Sequence, residues 1–391
     1  MDLIYFDNNA TTRLDPRVLE VMLPYLREQY ANPSSLHHFG QQVRHAIETA
    51  REQVAAALGA SPRQIVFTGG GTEANMLAIR GTLAMRPDKR HLVTTAVEHD
   101  SVLRLAQRLE KEGYRVTYLP VDSLGRLDPA AFEAVLDDDT ALASIMHANN
   151  ETGVIFPIER LGEIAAARGV PLHVDATQTV GKLPIDVSRL PVSLLTMAAH
   201  KFHGPKGVGA LYMARRTRVQ PQLVGGHQER DLRAGTENVP GIVGMGEAIR
   251  LAVEHLDEEN GRVRHLRDEL EAGILERVPT TSVNGDREHR LPNTTNISFA
   301  ALEAEAILML LSNEGLCASS GSACSSGSLE PSHVLQAMGI DPVIAHGAIR
   351  LSLSRFNTAD EVRRALEIIP EVITRLMELV PTAQISAATR P

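Results

Sequence analysis

Two lysines, Lys201 and Lys206, lie where this chain could place a reactive amine. Lys201 ends the apolar segment SLLTMAAHK and precedes the turn FHGPKGVG. At the carboxyl end of a strand in an α/β sheet, a lysine reaches the crevice where ligands bind. Desolvation there lowers the amine pKa and favours the neutral form that makes a Schiff base. A lysine with its head group in water is the alternative, and Lys206 competes on sequence alone, although its Pro-Lys-Gly setting is typical of a turn.

Two cysteines, Cys317 and Cys324, are the candidate nucleophiles. Cys324 lies in SSGSACSSGS, whose glycines and serines give backbone freedom and little side-chain anchoring. A thiol that must visit two places needs such a loop, and it needs activation because the reference thiol pKa is about 8.5. An ordinary surface cysteine is the alternative. Cys317 follows the apolar residues EGL and is typical of a buried small hydrophobic residue.

A glycine-rich turn, GGGTE at residues 69–73, could hold an anion. It lies between the strand QIVFT and a helix, so its backbone N–H groups and the helix dipole can converge on one ligand. It is neither G-x-G-x-x-G nor a Walker A loop, which argues against a nucleotide. A tight connection between strand and helix explains the glycines equally well.

Three more side chains could act at the same edge of the sheet. Asp175 interrupts the apolar segment VPLHVDA, where it needs a cationic partner such as a protonated pyridinium nitrogen, unless it reaches solvent or caps a turn. His99 follows the strand HLVTTA and could stack on an aromatic cofactor and move protons, or serve as a structural histidine. Arg350, in AIRLSLSRF, could clamp a carboxylate through two hydrogen bonds or form a salt bridge.

Alternating strands and helices must position these residues. The predicted strands are QIVFT, HLVTTA, RVTYLP, ALASIMHA, PLHVDA, SLLTMAA and GALYM. Such alternation predicts a mostly parallel sheet with helices on both faces. Asp15 and Pro16 predict the start of a first helix that Pro24 kinks or splits, and a second helix is predicted for residues 35–58. Near Gly241 a long helical segment begins, and a smaller α/β unit with a C-terminal helix from Thr358 follows it.

The composition is that of an ordinary globular protein, with 43% hydrophobic residues and a net charge of −9. Without a basic cluster we expect no nucleic acid partner. No apolar segment approaches the roughly 20 residues that span a bilayer, and no signal pattern is present, so we expect a cytoplasmic protein without a membrane partner. Two cysteines exclude a disulfide framework, and we expect no zinc site.

The order of these segments resembles the cysteine desulfurases of the nitrogen-fixation and iron-sulfur-cluster type. These are class V aminotransferase-like enzymes with the aspartate-aminotransferase-like fold (fold type I) of pyridoxal-phosphate (PLP) enzymes. The resemblance runs from the start of the chain to beyond residue 355. Its matching segments are YFDNNATT, ANPSSLH, GGGTEANMLAI, VEHDSV, MHANNETGV, HVDATQTVGKLPIDV, AHKFHGPKGVGALY, GGHQERDLRAGTENVPGIVG, SSGSACSSGSLEPSHVL and AIRLSLSRF.

The resemblance implies a role for each candidate. It gives PLP as the cofactor, Lys201 as its covalent attachment, and Cys324 as the residue that receives sulfur from L-cysteine as a persulfide. The other implied roles are Asp175 at the pyridine nitrogen, His99 stacked on the ring, Asn150 and Gln178 at the ring hydroxyl, Gly71, Thr72, His200 and the partner subunit's Thr236 at the phosphate, and Arg350 with Asn32 at the substrate.

The resemblance also implies an organisation and partners. We expect a large PLP-binding domain at residues 15–258 with a seven-stranded sheet, a small α/β domain at residues 1–14 and 259–380, and a disordered tail at residues 381–391. The implied partners are a second copy in a homodimer and a sulfur-accepting scaffold protein for iron-sulfur cluster assembly. No stable metal site is implied, although a Cys324 persulfide could contact an iron-sulfur cluster transiently.

One residue departs from the family pattern. Family members place a serine that binds the phosphate three residues before the lysine, and this chain has Ala198 there. The rival interpretations are a selenocysteine lyase, another PLP lyase on the same fold, or a sulfur carrier that keeps the fold without catalysis. The sequence does not separate a role in nitrogen fixation from general cluster assembly.

Overall fold

The computed structural model describes residues 3–320 and 331–379, so Cys324 and the predicted tail at residues 381–391 lie outside the described part. The strands in these ranges are β1 (Ile4–Tyr5), β2 (Ile65–Thr68), β3 (His91–Thr95), β4 (Arg115–Leu119), β5 (Thr140–Met146), β6 (Leu172–Asp175), β7 (Leu194–Ala198), β8 (Gly209–Met213), β9 (Thr281–Val283), β10 (Thr294–Phe299), β11 (Leu316–Cys317), β12 (Ser319–Ser320) and β13 (Ala348–Ser352). The helices are α1 (Pro16–Arg27), α2 (His38–Ala57), α3 (Gly71–Ala84), α4 (Asp100–Lys111), α5 (Pro129–Val135), α6 (Ile158–Ala167), α7 (Val239–Glu254), α8 (Leu256–Glu258), α9 (Arg264–Arg277), α10 (Ala304–Asn313), α11 (His333–Ala337), α12 (Pro342–Ala345) and α13 (Ala359–Met377).

The seven strands predicted from the sequence form one sheet in the order β2-β8-β7-β6-β5-β3-β4. β8 is antiparallel to both neighbours, and the other adjacent pairs are parallel. Every residue of β5, β6 and β7 is buried, as expected for apolar strands covered on both faces. The predicted α/β fold with a mostly parallel seven-stranded sheet is therefore confirmed. Because β2, β3, β5, β6 and β7 run in one direction, the segments that follow them meet at one edge.

A second hydrophobic core lies around the four-stranded antiparallel sheet β12-β13-β10-β9. Side chains of α9, α10 and α13 pack into it, together with Ile4 and Phe6 from the start of the chain. β1 pairs in parallel with β11, which joins the N-terminal residues to this C-terminal unit. The division between residues 15–258 and residues 1–14 with 259–380 stays a prediction, and most buried residues of the two cores lie on either side of it. Five buried residues are exceptions, since they follow residue 258 and pack on the first core: Val334, Leu335, Met338, Ala345 and Ala348.

The first two helices differ from the prediction at their ends. Asp15 caps α1 and Pro16 occupies its first turn, as predicted. The helix continues through Pro24 to Arg27, so the predicted split is wrong. Proline this close to a helix end removes one hydrogen bond, and two following amides still bond to the Pro24 carbonyl. α2 begins at His38 instead of residue 35, because Asn32 forms a turn whose side chain accepts a hydrogen bond from the Ser34 amide.

The long helical segment connects the two cores. α7 and α9 are separated by the short α8 and a π-helical turn at Glu259–Val263. α13 begins after Thr358 with a capping box in which Glu361 bonds back to the Thr358 amide, as its sequence predicts. Among the helices of the described residues, none is long and apolar enough to cross a membrane.

Candidate active site

A cavity of about 250 Å³ lies at the carboxyl edge of the sheet, where the segments after β2, β3, β5, β6 and β7 meet. Eight of the residues predicted from the sequence line it: Gly71, Thr72, His99, Asn150, Asp175, Gln178, His200 and Lys201. Asn32 and Thr236 are exposed and do not line it. The structure therefore brings together the residues expected around a cofactor, while Arg350 also does not line this cavity and Cys324 lies outside the described residues.

Lys201 is the reactive lysine that the geometry favours. It lies on a short 3₁₀ turn, Ala199–Lys201, that directly follows β7. Its Nζ donates to the backbone carbonyls of Asn9 at 2.5 Å and Ala10 at 2.9 Å. Burial and the nearby guanidinium of Arg350 lower its pKa to about 7, so a substantial fraction of the amine is neutral at neutral pH. Lys206, the rival on sequence, is exposed and lines a neighbouring cavity.

The lowered pKa of Lys201 predicts how PLP capture depends on pH. Only the deprotonated amine attacks the cofactor aldehyde, so capture by cofactor-free protein should rise with pH and level off just above about 7. An ordinary lysine side chain has a pKa of about 10.4, so its rate continues to rise far beyond that point. Stopped-flow absorbance after mixing with PLP measures the rate, with Nα-acetyl-lysine as the reference amine. A protein profile that follows the reference amine would contradict the assignment.

Asp175 is a buried carboxylate at the end of β6 that lacks a cationic partner. It is 6% exposed and forms no ion pair within the described ranges. Its Oδ2 accepts from Asn75 Nδ2 at 2.8 Å, and its Oδ1 accepts from the Thr177 amide at 3.0 Å. These two hydrogen bonds fix the carboxylate at the wall of the cavity. A cation bound in the cavity, such as a protonated pyridine nitrogen, fits this position.

The start of α3 forms a cradle for an anion. No side chain of the described residues caps this helix, and its first residues, Gly71 and Thr72, line the cavity. A Cβ on Gly71 would lie 3.3 Å from Thr177 Oγ1 and 3.5 Å from Ala198 Cβ, so it would crowd this wall of the cavity. His200 lies beside the cradle, where burial and the nearby Lys201 ammonium lower its pKa to about 4. Helix N–H groups and a neutral imidazole are donors that suit a phosphate.

Ala198 faces this cradle, so the departure from the family pattern has a measurable consequence. The Cβ of Ala198 lines the cavity next to Gly71 but offers no donor. In Ala198→Ser, an added hydroxyl should contribute about 1 kcal/mol, which tightens PLP binding about fivefold. Equilibrium titration of cofactor-free protein measures the affinity, and Ala56→Ser on the exposed side of α2 is the matched control. Equal PLP affinity in Ala198→Ser and the parent protein would contradict this role.

His99 is the N-cap of α4 and is held in one tautomer. Its Nδ1 accepts from the Ser101 amide at 3.2 Å, so the proton of the neutral ring is on Nε2. Burial lowers the His99 pKa, and the nearby Lys201 acts in the same direction. Ser101 Oγ lies 2.8 Å from Nδ1 and accepts from Asn75 Nδ2 at 2.9 Å. Asn75 therefore bonds to both Ser101 and Asp175, and it fixes the relative position of His99 and that carboxylate.

Asn75 and Ser101 were not identified from the sequence. Asn75 follows Gly71 by four residues, so the helical period alone could have placed it on the same face as the cradle. Ser101 lies two residues after His99, where serine commonly bonds to the start of a helix. Asn75 Oδ1 is buried without a hydrogen-bond partner among the described residues, so it can accept a bond from a ligand.

Arg350 lies on β13 and meets the cavity region from the second core. Its Nη2 pairs with Asp7 at 2.7 Å, and its Nη1 donates to the Asn150 carbonyl at 3.1 Å. Its Nε is buried without an acceptor among the described residues. The Nε donor of the guanidinium is thus free to bind a ligand, whereas its Nη2 donor is occupied by Asp7. A substrate carboxylate could bind at Nε or take the place of Asp7 at Nη2.

Cys317 is partly buried on β11, and burial together with the nearby Asp7 raises its pKa. A thiol with a raised pKa is less often the reactive thiolate, which fits the structural role predicted for this cysteine. Cys324, the predicted nucleophile, lies outside the described residues. Within residues 3–320 and 331–379, no group of three or more His, Cys, Asp or Glu side chains could hold a metal ion.

Comparisons with known proteins identify the family of the chain. The sequence model of the family described as Aminotransferase class-V matches residues 4–365. A cysteine desulfurase of Nostoc sp. (strain PCC 7120) is 54% identical over 381 residues, which cover 97% of this chain and 95% of the relative. The cysteine desulfurase NifS of Azotobacter vinelandii is 50% identical over 379 residues and 97% of this chain, with 94% of the relative covered.

Solved structures with the same fold also match nearly the whole chain. A structure titled NifS-like protein has a TM-score of 0.90 and 41% identity, and the match covers 96% of this chain and all of that one. A NifS-like protein from Rickettsia africae has a TM-score of 0.87 and 33% identity, with 95% of this chain and all of that one covered.

Proposed function

The chain belongs to the class-V aminotransferase family, and on this basis we propose that it is a PLP-dependent cysteine desulfurase. It converts L-cysteine to L-alanine and transfers the sulfur as a persulfide to Cys324. The observation that carries this function is the 50–54% identity to named cysteine desulfurases over nearly the whole chain. Formation of alanine and sulfide from L-cysteine in the presence of a thiol reductant tests it. Pyruvate and ammonia in place of alanine would contradict it.

PLP is the cofactor of this family, and the residues of the cavity fit it. Asp175 would face the ring nitrogen, because it is a buried carboxylate that forms no ion pair within residues 3–320 and 331–379. The first amides of α3 with Thr72 and His200 would hold the phosphate, and Lys201 would attach the cofactor covalently. When bound, PLP supplies an electron sink for the charge that develops at the substrate Cα.

The chain's own side chains supply the proton transfers and the substrate contacts. The neutral amine of Lys201 removes the proton from Cα, which its pKa of about 7 permits near neutral pH. Arg350 binds the substrate carboxylate through its free Nε or after exchange with Asp7. His99, with its proton on Nε2, lines the cavity and would pack against the bound ring and pass protons there.

Sulfur transfer conserves atoms and electrons. The Cys324 thiolate attacks the substrate sulfur, so an S–S bond forms and the C–S bond breaks. The electron pair of the C–S bond stays with the substrate carbon, which takes up a proton and leaves as part of alanine. The products are alanine and a Cys324 persulfide, and a thiol reductant or an acceptor protein then removes the outer sulfur.

We also propose a homodimer in which the partner subunit's Thr236 completes the phosphate site. Support comes from the position of Thr236, which is exposed and away from the cavity of its own chain. The surface beside the cradle includes the exposed apolar residues Leu223 and Val224, which a second copy would cover. Light scattering during gel filtration tests the dimer. The sulfur acceptor for iron-sulfur cluster assembly and the cytoplasmic location stay predictions.

A further inference from the structure

A buried lysine that the proposed mechanism does not use, Lys182, lies behind the cofactor cavity. It is 5% exposed and forms no ion pair within 4.0 Å in the described part of the chain. Its Nζ donates to the backbone carbonyl of Gln178 at 3.1 Å and to Gln178 Oε1 at 3.2 Å. A buried ammonium without a close carboxylate is costly, so its position calls for a functional explanation.

The hydrogen bonds of Gln178 allow only one orientation of its amide. A lysine ammonium is solely a donor and a backbone carbonyl is solely an acceptor, whereas a glutamine amide has one end of each kind. Gln178 Oε1 faces Lys182, and Gln178 Nε2 donates to the Asn9 carbonyl at 3.0 Å. Rotation of the amide by half a turn would place Nε2 against Lys182 and Oε1 against a carbonyl oxygen. The second N–H of Nε2 is therefore kept for a ligand in the cavity that Gln178 lines.

The same hydrogen bonds connect Lys182 to Lys201. The Asn9 carbonyl accepts from Gln178 Nε2 and also from Lys201 Nζ at 2.5 Å. A small cavity of about 10 Å³ is lined by both lysines together with Glu259 and Arg355. The two amines are thus linked through Gln178 and the Asn9 carbonyl, and both lysines line the same small cavity.

We propose that Lys182 is a positioning residue that makes Gln178 present an N–H donor to the hydroxyl side of the PLP ring and that keeps positive charge near Lys201. This inference rests on the proposed placement of PLP. A donor at that position stabilises a negative ring oxygen, and a cation near Lys201 favours loss of the proton from its nitrogen. Both effects favour the deprotonated nitrogen, and the charge effect is lost when Lys182 becomes neutral.

The charges around Lys201 agree with the proposal that a charged Lys182 lowers the pKa of the Lys201 nitrogen. Among the groups that face Lys201, Arg350 and Lys182 lower its pKa, whereas Asp175 and Asp7 raise it. The neutral imidazoles of His99 and His200 complete its surroundings.

Lys182 itself stays largely charged at neutral pH. Burial lowers its pKa to about 8, Arg350 acts in the same direction, and Glu259 opposes both. The Glu259 carboxyl comes from the π-helical turn between α8 and α9, and its Oε2 has no hydrogen-bond partner among the described residues. Glu259 therefore raises the pKa of Lys182 and Lys182 lowers the pKa of Glu259, although burial raises the pKa of Glu259 overall.

The test is a pH titration of the visible absorption band of the PLP-loaded protein. In Lys182→Met, the pKa of the band should rise by about one unit, since the charge and one of the two hydrogen bonds that orient the Gln178 amide are lost. In Lys182→Gln, the polar side chain can still bond to Gln178 and Glu259, so this variant keeps the measurement possible if the methionine variant does not fold. It should show a rise in the same direction.

Two controls separate this role from a general structural one. Lys182→Arg keeps the charge and the donors, so the pKa of the band should return to the parent value. Lys111→Met removes an exposed lysine at the end of α4 and should leave the pKa unchanged. An unchanged pKa in folded Lys182→Met or Lys182→Gln overturns the inference. Absence of a Lys201-dependent band in the parent protein would instead contradict the proposed cofactor attachment.

Discussion

Replacement of Lys201 by alanine is expected to abolish both covalent PLP attachment and desulfurase activity. Lys201 is the lysine that lines the cavity between Asp175 and the α3 cradle, and its amine is partly neutral near pH 7. Alanine removes the attachment point and the base that takes the Cα proton. Loss of a positioned base alone lowers turnover by about 10² to 10⁴-fold. Because attachment is lost as well, we expect activity at the lower limit of detection.

The visible absorption of the purified protein after desalting measures the attachment. Lys201→Ala should be colourless, whereas Lys206→Ala should keep the band because Lys206 is exposed and makes no contact in the proposed attachment. Borohydride reduction followed by peptide mapping identifies the attached lysine directly. A reduced adduct on Lys206 or Lys182 would show that the assignment is wrong.

Replacement of Cys324 by alanine is expected to have the second large effect. The proposed reaction needs a thiolate to take the sulfur, so sulfide release should fall by about 10³-fold or more. PLP attachment should remain, because the covalent bond to the cofactor is made by the amine of Lys201 and does not need the thiol of residue 324. The same variant separates a desulfurase from a PLP lyase that releases sulfur without a protein persulfide.

Cys317→Ala is the matched control for this prediction. Cys317 lies on β11, and its raised thiol pKa makes it a poor nucleophile. We expect this variant to keep most of the sulfide release, with a modest loss of stability from the removed side chain. Parent-level sulfide release from Cys324→Ala, or loss of release in Cys317→Ala with the fold intact, would contradict the assignment of the nucleophile.

The fold could be predicted largely from local pattern. Short apolar strands alternate with amphipathic helices, and this pattern alone indicated the seven-stranded sheet. The ends of helices were harder to predict than their existence. α2 begins at His38 instead of residue 35, after a turn in which the Asn32 side chain accepts a hydrogen bond from the Ser34 amide. At Pro24 a split in the helix was predicted that the structure does not show. A proline near the end of a helix costs too little free energy to split it.

The site was predictable where single residues follow strands, and unpredictable where pairs of distant residues meet. Lys201, Asp175 and His99 each follow a strand of one parallel sheet, so their convergence follows from topology. The pairing of Arg350 with Asp7 depends on the start of the chain lying beside β13, a contact between residues far apart in the sequence that no local pattern contains. Lys182 lies four residues after Gln178, and this spacing is visible in the sequence. The role of the contact between them depends on the Asn9 carbonyl, which comes from the start of the chain and could not be paired with Gln178 from the sequence.

The proposed reaction is tested most directly by a single turnover of the PLP-loaded protein with L-cysteine and no reductant. Rapid quenching would allow alanine per bound cofactor to be measured beside the mass of the peptide that contains Cys324. We expect one alanine for each cofactor and the mass of one added sulfur on Cys324. Alanine without added sulfur on that peptide, or pyruvate in place of alanine, would contradict it.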